Sequence, residues 1–300
     1  MFAVFGLVLG SAGLATAQGV NISSSDIKLR ELGLPEINIT VGPDGVDAPT
    51  ELASGSYLIT LHATGDYVAY LNFMQPPAGL SEEEATRLAL DAAANDLVQP
   101  DWAYLGGTNT FDIGVPMSFA IHFEPGEYVT AASYYIPDQG SEEIMKLVPL
   151  TITSDATPVA GEATPVADMP VGDVKLEMTD DLAYIVSPDP VPAGPQIWEL
   201  SNAGVHGSHH VVMTRIPEGV TADDIVADFG IMMSGTPTAG EPLMAQFTFV
   251  GYAALQYGGA TSWHEFDLEP GTYAVICYIL DSETFMLHVM DGMVTVFTVE

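Results

Sequence analysis

The chain has one cysteine, Cys277, in 300 residues, and only six lysines and arginines against 40 acidic residues. One cysteine excludes an internal disulfide. The shortage of basic residues, with a net charge of −34, excludes nucleic acid and anionic membrane surfaces as partners, because both are held by basic patches. No Gly-x-Ser-x-Gly, Gly-rich phosphate loop or His-Glu-x-x-His is found, so the usual hydrolase, nucleotide and zincin readings have no footing. The carboxylates, though many, form no local pair that marks a general acid and base. Beyond the N-terminus no apolar run is long enough to span a bilayer.

What is present is apolar enough to fold. Hydrophobic residues make up 48% of the chain, and 300 residues suit two domains, each with its own core. The acidic excess fits a high-salt habitat, a cation-rich cell surface or a basic protein partner, the bland reading being a solubility adaptation. Residues 1–17 carry an apolar run closed by Ala15-Thr16-Ala17, the pattern of a cleaved signal peptide, although the usual positive start is missing. The mature chain is therefore expected from Gln18, exported to the periplasm, cell surface or medium. A lone thiol in such a compartment is a liability unless buried or ligated.

Residues 18–36 read as an N-terminal arm, loose or briefly helical. Strands are expected at Ile37–Val41, Tyr57–His62 and Tyr67–Phe73, then a helix from the capping box Ser81 to Glu84 as far as about Ala94. Gly/Asn/Thr-rich loops are expected next, then strands at Tyr128–Tyr135 and Leu147–Thr153. Residues 154–173, with Ala-Thr-Pro-Val-Ala twice, form an extended linker that leaves the arrangement of the two domains open. The same landmarks then return. Pro217-Glu218-Gly219 with the capping box Thr221 to Asp224 matches Pro77-Ala78-Gly79 with Ser81 to Glu84, and Glu269-Pro270-Gly271-Thr272-Tyr273 matches Glu124-Pro125-Gly126-Glu127-Tyr128. Matched landmarks mean an internal duplication. About seven short strands per copy predict an all-β chain of two β-sandwiches, residues 37–153 and 174–300, each with a short helical insertion.

The copies differ where chemistry is concentrated. Cys277 is followed by His288 and Met293 on one closing loop, and the landmarks put Cys277 on Ala132 and His209 on Ala69. Thiolate, imidazole and thioether together are a donor set for copper. A fourth ligand is expected from the His-rich segment 205–213, where His206, His209 and His210 compete; neighbours in a strand face opposite ways, so His209 and His210 cannot both point inward.

This pattern, with Pro-Gly-x-Tyr leading into the Cys strand and Gly-Met closing the loop, resembles the cupredoxins, the plastocyanin-, halocyanin- and azurin-like blue copper proteins. The resemblance is best over 174–300; residues 37–153 look like a degenerate copy without ligands. It implies Greek-key sandwiches and one copper per chain, cycling between Cu(I) and Cu(II), held by His209, Cys277, His288 and Met293. It further implies one-electron transfer to a redox protein partner and no enzymatic activity. The ten-residue gap between Cys277 and His288 is longer than the family's usual short loop, and His210 stands where the family tends to have Asn. A multicopper enzyme would need further His ligands, and the first copy has few. His206 and His210 are otherwise expected in loop or solvent, and His122 and His264 packed or at the surface. A looser arrangement of His206, His210, Met213 and Met290 would be a surface copper-handling site. The alternatives to electron transfer are a metal-free binding or cell-surface module and a copper storage or delivery protein.

Overall fold

A computed structural model describes residues 26–94, 98, 101–135, 144–154, 169, 171–205, 207–234, 242–281 and 284–300. The expected signal peptide, most of the linker and His206 lie outside them.

The first copy contributes α1 (Ile27–Glu31), β1 (Glu36–Gly42), β2 (Gly45–Asp47), β3 (Glu51–Ala53), β4 (Gly55–Ala63), β5 (Val68–Gln75), α2 (Glu82–Ala94), β6 (Ala103–Asn109), β7 (Met117–Phe123), β8 (Gly126–Tyr135) and β9 (Ile144–Thr153). The second contributes β10 (Val174–Thr179), β11 (Ala183–Ser187), β12 (Gly194–Asn202), β13 (Ser208–Ile216), α3 (Ala222–Met233), β14 (Thr248–Tyr257), β15 (Thr261–Leu268), β16 (Gly271–Ile276) and β17 (Val294–Val299). The fold is all-β, of the Greek-key sandwich type, with one helical insertion of more than two turns in each copy. Both capping boxes form: Thr221 Oγ1 accepts from the Asp224 N–H while the Asp224 carboxylate accepts from the Thr221 N–H, and Ser81 and Glu84 do the same. These bonds satisfy amides that a helix start leaves orphaned.

The Pro-Gly-x-Tyr landmark has a physical cause. In each copy the tyrosine hydroxyl donates back to a carbonyl four residues upstream, Tyr128 to Glu124 at 2.9 Å and Tyr273 to Glu269 at 2.8 Å. That fixes the corner from which β8 and β16 depart.

The linker does not leave the two sandwiches apart. One sheet runs β11-β10-β12-β15-β7-β4-β1-β2 and the other β17-β16-β13-β14-β6-β5-β8-β9-β3, so each sheet passes from one copy into the other. The seam is antiparallel and joins equivalent strands, β15 to β7 and β14 to β6. Pro125 and Pro270 are 145 positions apart, and the same shift takes Phe119 to His264. These two residues are direct partners in the β15–β7 register, so a pseudo-twofold axis passes through the pair, as in an isologous dimer interface. Their rings stack, centroids 5.5 Å apart and 12° between planes. His264, expected merely to pack or lie at the surface, is thus a buried seam residue, 2% exposed.

Strands β6 and β7 lie in and after the stretch read as Gly/Asn/Thr-rich loops, and they are the two that make this seam. Glycine in a strand interior is a weak strand signal, but it permits close approach of a neighbour. Gly106 has φ +118°, and its Cβ position lies 3.4–3.5 Å from Ser262 and Gln256 of the second copy.

Between the sheets lie two apolar clusters, one per copy. The first is built on Phe73, Phe119, Phe123 and Leu71, and the second on Trp198, Leu200, Val211, Met213, Tyr273 and Val275. Each such side chain, fully buried, is worth about 1.5–3 kcal/mol. Cys277 and Met293 belong to the second cluster.

Candidate metal centre

His209 is the second residue of β13, and alternation turns it inward with Val211 and Met213. Between His209 and Val211 the register slips: from Gln256 to Ala253 three steps of β14 pass two of β13. A bulge of this kind re-aims neighbouring side chains. Cys277 follows β16 directly. Its N–H donates to the Met293 carbonyl (3.1 Å) and its carbonyl accepts from Val289 (2.9 Å).

The long gap to His288 is pinched shut. The His288 N–H donates to the Ile279 carbonyl at 2.8 Å, and Leu280 bridges Leu287. The two ligand-bearing positions therefore meet as they would across a short loop. His288 opens a 3-10 turn, His288–Asp291, that ends at Gly292 with φ +96°. Without a Cβ, Gly292 takes this left-handed conformation freely. The reversal returns Met293 to the site, where its N–H donates to the His288 carbonyl at 2.9 Å.

The side chains converge. His209 Nδ1 lies 3.2 Å from His288 Nδ1, and Cys277 Sγ lies 3.5 Å from the same nitrogen. The donor atoms of His209, Cys277 and His288 are all within 4.8 Å of one another, and this is the one such group among the described residues. The three residues are at most 5% exposed, and Met293 is fully buried beside Cys277. His209 Nε2 is buried with no hydrogen-bond partner among the described residues.

The electrostatics suit a soft cation. Burial lowers His209 to about 4, helped by the neighbouring His288 and opposed by Asp180. His288 is lowered by burial, against Asp281 and Asp291. Both imidazoles are therefore neutral and can donate lone pairs. Burial raises the Cys277 thiol to about 11, opposed by backbone bonds from His210 and Ile279 and by Tyr184. A thiol so raised stays protonated unless a cation replaces its proton. Two neutral imidazoles and one thiol, all buried, are a donor set that fits copper.

Sequence reasoning missed the residues around these donors. His210, expected in loop or solvent, is 1% exposed and faces away from the site. Its Nε2 accepts from the Tyr278 N–H at 2.8 Å, its carbonyl accepts from the Tyr184 hydroxyl, and its ring packs against Tyr252 and Tyr278. It thus ties the strand of His209 to the residue after Cys277. With His210 and Met213 buried, the looser surface copper-handling set has no basis. Asn202 is also buried. Its amide donates to the carbonyls of Gly207 (3.3 Å) and Gln256 (2.9 Å) and its oxygen accepts from Gly204 (3.1 Å), which fixes the loop into β13. Nothing in the sequence pointed to Tyr184, which is brought in by β11.

No helix among the described residues is long and apolar enough to cross a membrane. No family model matches the chain, and no curated protein does. Among solved structures, reduced auracyanin from Roseiflexus castenholzii is 21% identical over 42% of this chain and 94% of that one, with a TM-score of 0.27. Auracyanin A of Chloroflexus aurantiacus, titled a blue copper protein, is 17% identical over 42% and 96%, TM-score 0.27. A multicopper oxidase is 12% identical over 88% of each chain, TM-score 0.23.

Proposed function

We propose that the second copy holds one copper ion through His209, Cys277, His288 and Met293, and that the protein is an exported one-electron carrier rather than an enzyme. The observation that carries this reading is the convergence of two buried neutral imidazoles and the only thiol, with donor atoms within 4.8 Å. Bound copper would supply a one-electron couple. The chain's part is to hold the donors rigidly on a strand and a hydrogen-bonded loop, so that little rearrangement accompanies the change of charge, and to keep water out. The backbone bonds of Met293 to Cys277 and His288 support the thioether as the weak fourth ligand. The A-x-A pattern at residues 15–17 supports export.

The test is the visible spectrum of the folded protein after addition of Cu(II), with metal retention measured after dialysis against a mild chelator. An intense thiolate-to-copper band and one retained copper per chain are expected. A colourless protein that takes up neither Cu(II) nor Cu(I) overturns the reading and leaves a metal-free binding module.

A further inference from the structure

The seam between the two copies has little backbone pairing of its own. β15 and β7 pair over three positions and β14 and β6 over one, where β4 and β7 pair over seven and β12 and β15 over eight. On the inner face of the seam Phe119 stacks on His264. Alternation turns their neighbours Ser118, Ala120, Trp263 and Glu265 to the outer face. The 145-position shift that relates the copies takes Ser118 to Trp263 and Ala120 to Glu265. The twofold is therefore broken on that face, with two small side chains on one side and a large and an acidic one on the other. Such a seat suits one short helix, and α1 occupies it.

The arm that carries α1 is tied to both copies. On the first, the Ser118 hydroxyl donates to Asp26 (2.9 Å), Arg30 pairs with Asp26 (2.8 Å) and Glu36 (2.6 Å), and Glu36 accepts from the Thr60 hydroxyl (2.8 Å). On the second, the Leu29 N–H donates to the Glu265 carboxylate (3.0 Å). Lys28 pairs with Asp173 (2.9 Å), which also accepts from the Ile197 N–H of β12 (3.0 Å). Between these ties Leu29, fully buried, lies in one apolar cluster with Leu58 and Ala120 of the first copy and Ile197 and Trp263 of the second. A segment that merely covered one sandwich would have its partners on that sandwich. Five residues are too few for a helix to be stable by itself, so α1 is ordered by its seat. Each copy supplies half of that seat, and Leu29 and Glu265 are 236 positions apart. Lys28 and Arg30 are also the only basic residues before Arg87, in a chain of net charge −34, so charge draws the arm onto the acidic body.

We propose that residues 26–36 are a clasp that locks the two sandwiches together across the outer face of the seam. The arm is synthesised first, and its seat is complete only when β15 has paired with β7. α1 then closes, and the seam opens only after α1 has lifted. The clasp is independent of the copper reading, and either can fail alone.

Amide hydrogen exchange of the full chain, metal-free and followed residue by residue, reads such local opening. In the unaltered protein the Leu29 amide should be protected, and the amides of residues 119–121 and 262–264 should exchange no faster than it does. A Leu29 amide that exchanges like that of an unfolded chain, or a seam that exchanges faster than Leu29, overturns the proposal without any variant. Two substitutions then separate the clasp from general loss of stability. Leu29→Ala should speed the seam amides at least about thirtyfold, the factor that truncating a buried leucine carries. Leu150→Ala removes an equally buried leucine from β9, three strands away from β6. It should leave the seam rates unchanged, because Leu150 stays buried when only the seam opens. Equal acceleration by the two substitutions, or none by Leu29→Ala, would show that the seam opens without regard to the arm and would sink the clasp.

Discussion

In the first copy the places of His209 and Cys277 are taken by Ala69 and Ala132, at most 1% exposed and part of an apolar cluster. The Ala69 N–H is satisfied by Thr110 Oγ1 at 2.9 Å, and Tyr67 and Tyr134 pack edge to face nearby, centroids 5.0 Å apart. In the second copy the same frame encloses two imidazoles and a thiol. Buried polar groups cost about 1–3 kcal/mol each when left unpaired, and His209 Nε2 is one of them. One half has thus the composition of a scaffold and the other that of a site, on a common backbone. The strand pairs that hold His209 and Cys277 exist in both copies, so the frame does not depend on the ligands. Exchanging donors across the axis should change chemistry far more than fold.

The sharpest break of this comparison is Cys277→Ser. It should abolish the thiolate colour and weaken copper binding by at least about a thousandfold, a fraction of the ~10 kcal/mol or more that a complete thiolate–imidazole site contributes. Chelator competition and absorbance measure it. The mirror substitution, Ala132→Cys, should create neither colour nor tight binding, because the place of His209 is taken there by Ala69 and no imidazole stands beside the new thiol. A coloured Ala132→Cys, or a Cys277→Ser that stays blue, would end the distinction between the halves.

Protons offer a second handle on the site. With the Cys277 thiol at about 11 and His209 at about 4, the metal-free site at neutral pH holds one proton that a metal must displace. Affinity for Cu(I) should therefore rise about tenfold per pH unit between roughly pH 6 and 11. Below about 4 protonated His209 adds a second competing proton, and the slope steepens. Competition with a Cu(I) chelator across this range reads the slope; a flat profile would mean that the thiol is not a ligand.

Much of this was legible because the duplication repeats its landmarks. Capping boxes and Pro-Gly-x-Tyr corners are local devices, and each can be read from neighbouring residues. The ligand contrast was legible too, since aligning the copies sets His209 against Ala69 and Cys277 against Ala132. What could not be read is non-local. The seam is made by β6 and β7, whose Gly-rich and short apolar sequences carry weak strand signals and whose pairing partners lie more than 100 residues away. His210 looked like a loop residue because polarity was weighed without knowing that Tyr252 and Tyr278 pack against it. The long Cys277–His288 gap looked like a departure because sequence distance does not show the bond from His288 to Ile279 that closes it.

The axis itself gives a third test. His264 is buried, its value lowered to about 3, with Ser262 Oγ at 3.0 Å from Nε2. Its mate Phe119 cannot titrate. A histidine that is harder to protonate when folded favours unfolding as pH falls. Its cost begins near the unfolded value of about 6.5, grows to about 2–3 kcal/mol by pH 4.5 and levels off near 3. His264→Gln, which keeps a partner for Ser262, should flatten the loss of stability between pH 6.5 and 4.5 by about that amount. Denaturant unfolding at the two pH values decides it. An unchanged pH dependence would show that protonation at the seam is not felt.

The smallest effect compares the helices. Thr221 and Ser81 cap α3 and α2 with the same reciprocal bonds, and each replacement by Ala should cost about 1 kcal/mol. The readouts should nevertheless differ. Helix α3 covers the outer face of the metal-bearing half, with Phe229 against Tyr278, the residue after Cys277 (ring centroids 5.2 Å), and Gly230 against Met290 (its Cβ position 3.6 Å from the methionine methyl). Thr221→Ala should therefore loosen the copper site as well as the fold, seen as faster metal loss to a chelator. Ser81→Ala, of equal cost, should leave that rate unchanged, because α2 packs on Trp102, Tyr104 and Met74 of the half without ligands. Equal rates of metal loss in the two variants would mean that the shared sheets spread the strain evenly and that the halves respond as one unit.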